Sequence, residues 1–162
     1  MQAARRLAVI FVTAASLAVP GSALAAPQPA AGSFVEGPEM NYEESFADGN
    51  VIVEFTRQVT LTGTYDGTGE ADERIVIHKD GSTNVHITID FTGLACLRPA
   101  ALRFLIEGQG QLNPDLETGT IDGIYTVIDG GQSLDPTVRG NGTINGFAGV
   151  GGTYEGQAEH CV

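Results

Sequence analysis

Across residues 51–61 hydrophobic side chains fall on every second position: Val51, Val53, Phe55, Val59 and Leu61, with Arg57 the one polar intruder. A period of two marks a half-buried β-strand, because successive strand residues face opposite sides of the sheet. The pattern returns at Val85, Ile87, Ile89 and Phe91, interleaved with Asn84, His86, Thr88 and Asp90. Leu102, Phe104 and Ile106 share a third face. Residues 74–78, 121–128 and 153–161 read as further strands, the last with Tyr154, Gly156 and Ala158 on one side. Another strand is expected to open at Asp135-Pro136. Asp80-Gly81 and Asp129-Gly130-Gly131 supply turns, because these residues tolerate positive φ. Asn113-Pro114-Asp115 reads as a loop, and Asn141-Gly142 as a turn or bulge. One short helical turn is expected within 96–101, around Pro99-Ala100-Ala101.

Seven or eight strands at this spacing fit an antiparallel meander. The chain holds 22 glycines, many beside threonine inside strand regions, as in Gly63-Thr64, Gly67-Thr68, Gly119-Thr120, Gly142-Thr143 and Gly152-Thr153. Glycine weakens a strand unless it serves a bend, a bulge or a close backbone approach. Barrels need such bends and flat sheets do not. Closure also removes exposed sheet edges. The expected fold is therefore all-β, an antiparallel meander closed into a barrel of about eight strands, ahead of a sandwich. In that phasing Val53, Phe55, Val59, Val85, Ile87, Ile89, Phe91, Leu102, Phe104, Ile106, Tyr125 and Tyr154 point inward, and His86, Thr88 and Asp90 outward.

Residues 1–25 have the form of a secretory signal. Arg5 and Arg6 precede an apolar stretch from Leu7 to Val19, then Pro20, Gly21 and Ser22, and the small-x-small box Ala23-Leu24-Ala25. Cleavage after Ala25 removes two of the 8 Lys+Arg, so the formal charge moves from -12 to -14. Such acidity argues against nucleic acid, whose phosphates require cationic side chains. No apolar run of 18 or more residues follows the signal, so no spanning helix is expected. Residues 26–49 read as an extended N-terminal arm and 50–162 as the barrel domain. In that arm Glu36, Glu39, Glu43 and Glu44 look solubilising, and Phe34, Met40, Tyr42 and Phe46 could pack as an extra strand. The two cysteines, Cys96 and Cys161, are expected to pair in an exported protein. That bridge would tether a C-terminal strand and contribute about 4 kcal/mol by chain entropy.

The segments Thr62-Gly63-Thr64-Tyr65-Asp66-Gly67-Thr68-Gly69, Ile77-His78-Lys79-Asp80-Gly81-Ser82 and Phe91-Thr92-Gly93 follow one another along the chain. Phe104 to Gly110, Arg139-Gly140-Asn141-Gly142-Thr143 and Gly152-Thr153-Tyr154-Glu155-Gly156 complete the order. This order resembles small secreted bacterial proteins with an allene oxide cyclase-like barrel, over residues 50–160. The resemblance implies the fold. It carries no catalytic residue onto this chain.

Nucleophile elbow, P-loop and dinucleotide motifs are absent. No His/Cys/Asp set has zinc-ligand spacing, so neither metal nor cofactor is expected. His78, His86 and His160 are scattered. The acidic run Asp66-Gly67-Thr68-Gly69-Glu70-Ala71-Asp72-Glu73 reads as a solvated turn. Arg57 on an apolar face either binds a ligand carboxylate or sits at the barrel mouth with its head in water. With Tyr125 and Tyr154 it forms the candidate ligand-binding set. The leading expectation is an exported, disulfide-stabilised barrel binding a small apolar or amphipathic molecule. The alternatives are a barrel-interior cyclase or isomerase, and a cell-surface interaction or structural module. An open cavity with Arg57 and an inward tyrosine hydroxyl favours ligand binding. A positioned acid or base of shifted pKa favours an enzyme.

Overall fold

The computed structural model describes residues 26–113, 119–129 and 139–159. The signal segment 1–25, the Asp135-Pro136 opening, His160 and Cys161 lie outside the described residues. Nine strands follow one another: β1 (Gln28–Glu36), β2 (Met40–Ala47), β3 (Asn50–Gly63), β4 (Tyr65–Ile77), β5 (Ser82–Ala95), β6 (Arg98–Leu112), β7 (Gly119–Asp129), β8 (Arg139–Phe147) and β9 (Gly151–Glu159). From β3 to β9 each strand pairs antiparallel with the next. β1 pairs with both β9 and β3 and closes the barrel at eight strands. β2 is the ninth strand, paired to β3 outside that ring.

β1 and β2 share one edge of β3. β1 covers its C-terminal half, from Glu36↔Val59 to Gly32↔Gly63. β2 covers its N-terminal half, from Met40↔Thr56 to Ala47↔Asn50. The crossover at 37–39 contains Pro38, which has no N–H to give a ladder. Gly37 N–H still donates to the Gln58 carbonyl at 2.8 Å. Arg57 lies opposite this break in the wall. The β2–β3 turn holds Asp48 (φ 53°) and Gly49 (φ 79°), the two left-handed residues a tight hairpin needs.

The inward set holds. All twelve residues named above are buried. His86 and Asp90 are exposed, and Thr88 is half-buried on the outer side. Three expectations are corrected. Asn141 and Gly142 make neither a turn nor a bulge but lie inside β8, in unbroken register with β7 and β9. Residues 98–101 belong to β6, with no helical turn; the hairpin is made by Cys96 (φ 53°) and Leu97 (φ 68°), neither a residue type that announces a left-handed turn. The acidic run 66–73 lies within β4. Tyr65, Ala71 and Ile75 share its inner face with Glu73, while Asp66, Glu70 and Asp72 face out.

An aromatic cluster fills the barrel. Tyr65, completely buried, meets Phe104 edge-on at 4.9 Å between ring centroids, and Phe91 and Tyr125 at 6.5 and 6.4 Å. The strand glycines make room for these rings. A Cβ on Gly142 would stand 2.6 Å from Tyr125 Cε1, and one on Gly140 2.5 Å from the Tyr65 hydroxyl. The phase is tested by truncation. Ile89→Ala should cost about 2–5 kcal/mol, and Thr88→Ala within about 0.5 kcal/mol, as surface changes do. Urea melts that reverse this order would reverse the phase.

Candidate functional site

The interior retains a void of only about 30 Å³, lined by Val59, Ile87, Ile106, Tyr125 and Tyr154 among others. That is room for one water molecule. Tyr154 serves the fold there: its hydroxyl donates to the Thr62 carbonyl at 3.0 Å and accepts from Tyr65 N–H at 3.0 Å. The Tyr125 hydroxyl is buried and has no hydrogen-bond partner among the described residues, and burial pushes it up to about 12.

At the end where β1 stops and β4 and β6 terminate, the barrel opens into a cavity of about 380 Å³. Its wall is apolar: Val53, Phe55, Ile75, Ile77, Leu112, Ile121 and Ala148. Its polar part is Arg57 with Glu36, Glu39 and Glu73. Arg57 is 2% exposed, so its head is not in water. Nη1 donates to Glu36 Oε2 at 2.6 Å and Nη2 to Glu39 Oε1 at 3.1 Å. Nε stands 3.1 Å from Glu73 Oε1 without the alignment of a hydrogen bond. The guanidinium lies over the Phe55 ring, 4.5 Å from its centroid, and Tyr42 stacks near Phe55 at 6.3 Å.

The break in the wall makes this cluster possible. Glu36 ends β1 and Glu39 follows Pro38, so both reach Arg57 from the crossover, and Glu73 reaches it from the inner face of β4. Gly149 N–H donates to Glu36 Oε2 at 2.8 Å, which ties the β8–β9 turn to the same carboxylate. Burial raises the Glu36 carboxyl despite the pull of Arg57 and Gly149. Burial pushes Glu73 up to about 8; Arg57 opposes the shift, while Glu36 and Glu39 add to it. Glu73 is therefore largely protonated at neutral pH.

Of the candidate set, Arg57 lines the mouth cavity, whereas Tyr125 and Tyr154 line the inner void. Glu36 and Glu73 border both and join the two spaces. Sequence reasoning placed Glu36 and Glu39 on a solubilising arm and Glu73 in a solvated turn. The missed signal for Glu73 was its phase, even-spaced with Tyr65, Ala71 and Ile75. His78 and His86 stand apart from the site: His78 contacts Asn50 at 3.2 Å and Asn84 at 2.9 Å, and His86 lies 3.9 Å from Glu107. Among the described residues no group of three His, Cys, Asp or Glu is arranged to hold a metal ion. Nor is any helix there long and apolar enough to cross a membrane.

Fold and site together define a closed antiparallel barrel with a packed interior and a charged, apolar-walled mouth. No protein family, curated protein or solved structure matches the chain.

Proposed function

We propose that this chain is an exported, disulfide-bridged barrel that binds a small amphipathic molecule in its mouth. One observation carries the reading. The interior is filled, yet a cavity of about 380 Å³ remains where apolar walls meet Arg57 and its carboxylates. Its size falls within the range of small-molecule sites, about 300–1,000 Å³, as does its build of apolar walls with a few converging polar groups.

The signal-like segment 1–25 supports export, and the eight-stranded closure is compatible with an allene oxide cyclase-like ancestry. The bridge has positional support. Cys96 sits in the β5–β6 turn at the end of the barrel opposite the mouth, and Cys161 follows two positions after β9 stops at that same end. Cys96→Ala and Cys161→Ala should lower stability equally, each by about 2–5 kcal/mol, since either removes the same bond. Unequal losses in denaturant melts, or two titratable thiols in the native protein, would remove the bridge from the reading.

A second reading, an isomerase working at the mouth, is favoured by Glu73, a carboxyl that holds its proton near neutral pH beside Arg57. The void of about 30 Å³ leaves no room for chemistry deeper inside. Native mass spectrometry of the secreted protein tests the proposal. The chain should begin at about Ala26 or Pro27 and carry one small noncovalent ligand released intact. A ligand released chemically altered favours the isomerase, and a chain that keeps Met1 overturns export.

A further inference from the structure

The mouth holds three carboxyl groups against one guanidinium, and all three are already spent on it or crowded beside it. Both terminal nitrogens of Arg57 are engaged by Glu36 and Glu39. A ligand carboxylate would find that fork occupied and would meet like charge in a desolvated site. Among the described residues no second Lys or Arg lines the cavity. Glu73 is placed differently. Its side chain is 2% exposed, it lines the cavity, and it makes no hydrogen bond with any described residue. Its Oε1 lies 3.1 Å from Arg57 Nε without hydrogen-bond alignment, so the carboxyl keeps acceptor capacity on its cavity side. Beside it, Val53, Ile75, Ile77 and Leu112 offer a wall for a short hydrocarbon.

Resting on the mouth-binding reading above, we propose that the ligand is an amphipathic primary amine, held as its ammonium ion by Glu73 with its alkyl part against β3, β4 and β6. The ammonium keeps its proton. The Glu73 carboxyl gives its own proton to solvent, so the bound pair is a carboxylate and an ammonium ion joined by a charge-assisted hydrogen bond. Glu39, half-exposed at the rim, attracts the cation on entry.

Calorimetry of the full chain with hexylammonium, hexanol and hexanoate separates head group from tail. Hexylammonium should bind about tenfold or more tighter than hexanol, a ratio one charge-assisted hydrogen bond supplies, and hexanoate should not bind. At pH 7 hexylammonium binding should release a proton, seen as heat that varies with the ionisation enthalpy of the buffer; hexanol should release none. Glu73→Gln, which copies the neutral carboxyl in shape, should abolish the proton release and the tenfold preference while hexanol binds as before. Hexanol or hexanoate binding as tightly as hexylammonium would overturn the amine assignment and leave the mouth site standing. An unchanged preference in Glu73→Gln would overturn Glu73 as the acceptor. If none of the three binds, the mouth-binding reading falls, and the amine assignment with it.

Discussion

Arg57→Met should destabilise the protein by about 3–5 kcal/mol at pH 8, the cost of leaving buried charge without its partner. Among the described residues Arg57 is the only cation lining the mouth, and it holds Glu36 at 2.6 Å, with Glu39 and Glu73 each at 3.1 Å. Without it the Glu36 and Glu73 carboxyls must stay protonated in the folded state or face each other as anions. The penalty should therefore shrink toward pH 5, where both can keep their protons. In the triple variant Glu36→Gln, Glu73→Gln, Arg57→Met no buried charge is orphaned, so most of the loss should be recovered. This follows the general finding that removing a whole buried ion cluster is far less costly than removing one member. Urea melts at the two pH values decide the matter. A penalty that is equal at both, or that persists in the triple variant, would mean that Arg57 stabilises the barrel by packing alone.

The wild type should show the same linkage. Glu73 has its folded pKa raised to about 8 from an ordinary value of 4.5. Between these values the folded state binds more protons than the unfolded state, so stability falls as pH rises. The contribution is full below pH 4.5 and lost by pH 8. Burial sets the shift; of the cavity-facing groups Arg57 opposes it, and Glu36 and Glu39 add to it.

The second large effect lies in the aromatic filling. Phe104 is buried and meets Tyr65 at 4.9 Å, Phe91 at 5.7 Å and Tyr125 at 6.3 Å. Phe104→Ala should cost about 3–5 kcal/mol, the transfer term plus that of an unfilled cavity. The barrel wall is a closed hydrogen-bonded ring and cannot collapse inward to fill the space. Phe104→Leu, which keeps most of the volume, should cost less than half as much. Equal losses would mean that ring-edge contacts outweigh volume at this position.

The barrel was legible where hydrophobic side chains mark the inner face. Residues 84–91 show the period of two unbroken and residues 51–61 show it with Arg57 as the one interruption, and every inward assignment made there agrees with the structure. It was illegible where small residues line that face. In β4 the inner positions include Gly69 and Ala71, buried but carrying almost no hydrophobic signal, so the acidic outer face dominated the reading. The β2–β3 hairpin had a usable signal in Asp48-Gly49. Cys96-Leu97 had none, because the left-handed turn there uses residue types that normally avoid it.

Half of the site was visible in the same way. Arg57 broke the apolar phase of its strand and so declared itself. Its partners did not. Glu36 and Glu39 come from a crossover whose inward turn depends on β1 ending and β2 starting along one edge of β3, a long-range arrangement that no local pattern encodes. A buried guanidinium must be matched by acids, and Glu73 was the acid on the inner phase of the adjoining strand.

The measurement that bears most directly on the mouth as a binding site compares wild type with Ala148→Trp by native mass spectrometry, both purified from the natural host. Ala148 lines the cavity from the β8–β9 turn, half-buried at the edge of the core and with no ring contact to the aromatic cluster, so an indole there projects into the mouth. Wild type should carry one small ligand, and Ala148→Trp should carry none while melting within a few degrees of it. A ligand retained equally by both proteins would place binding elsewhere on the barrel and contradict the account.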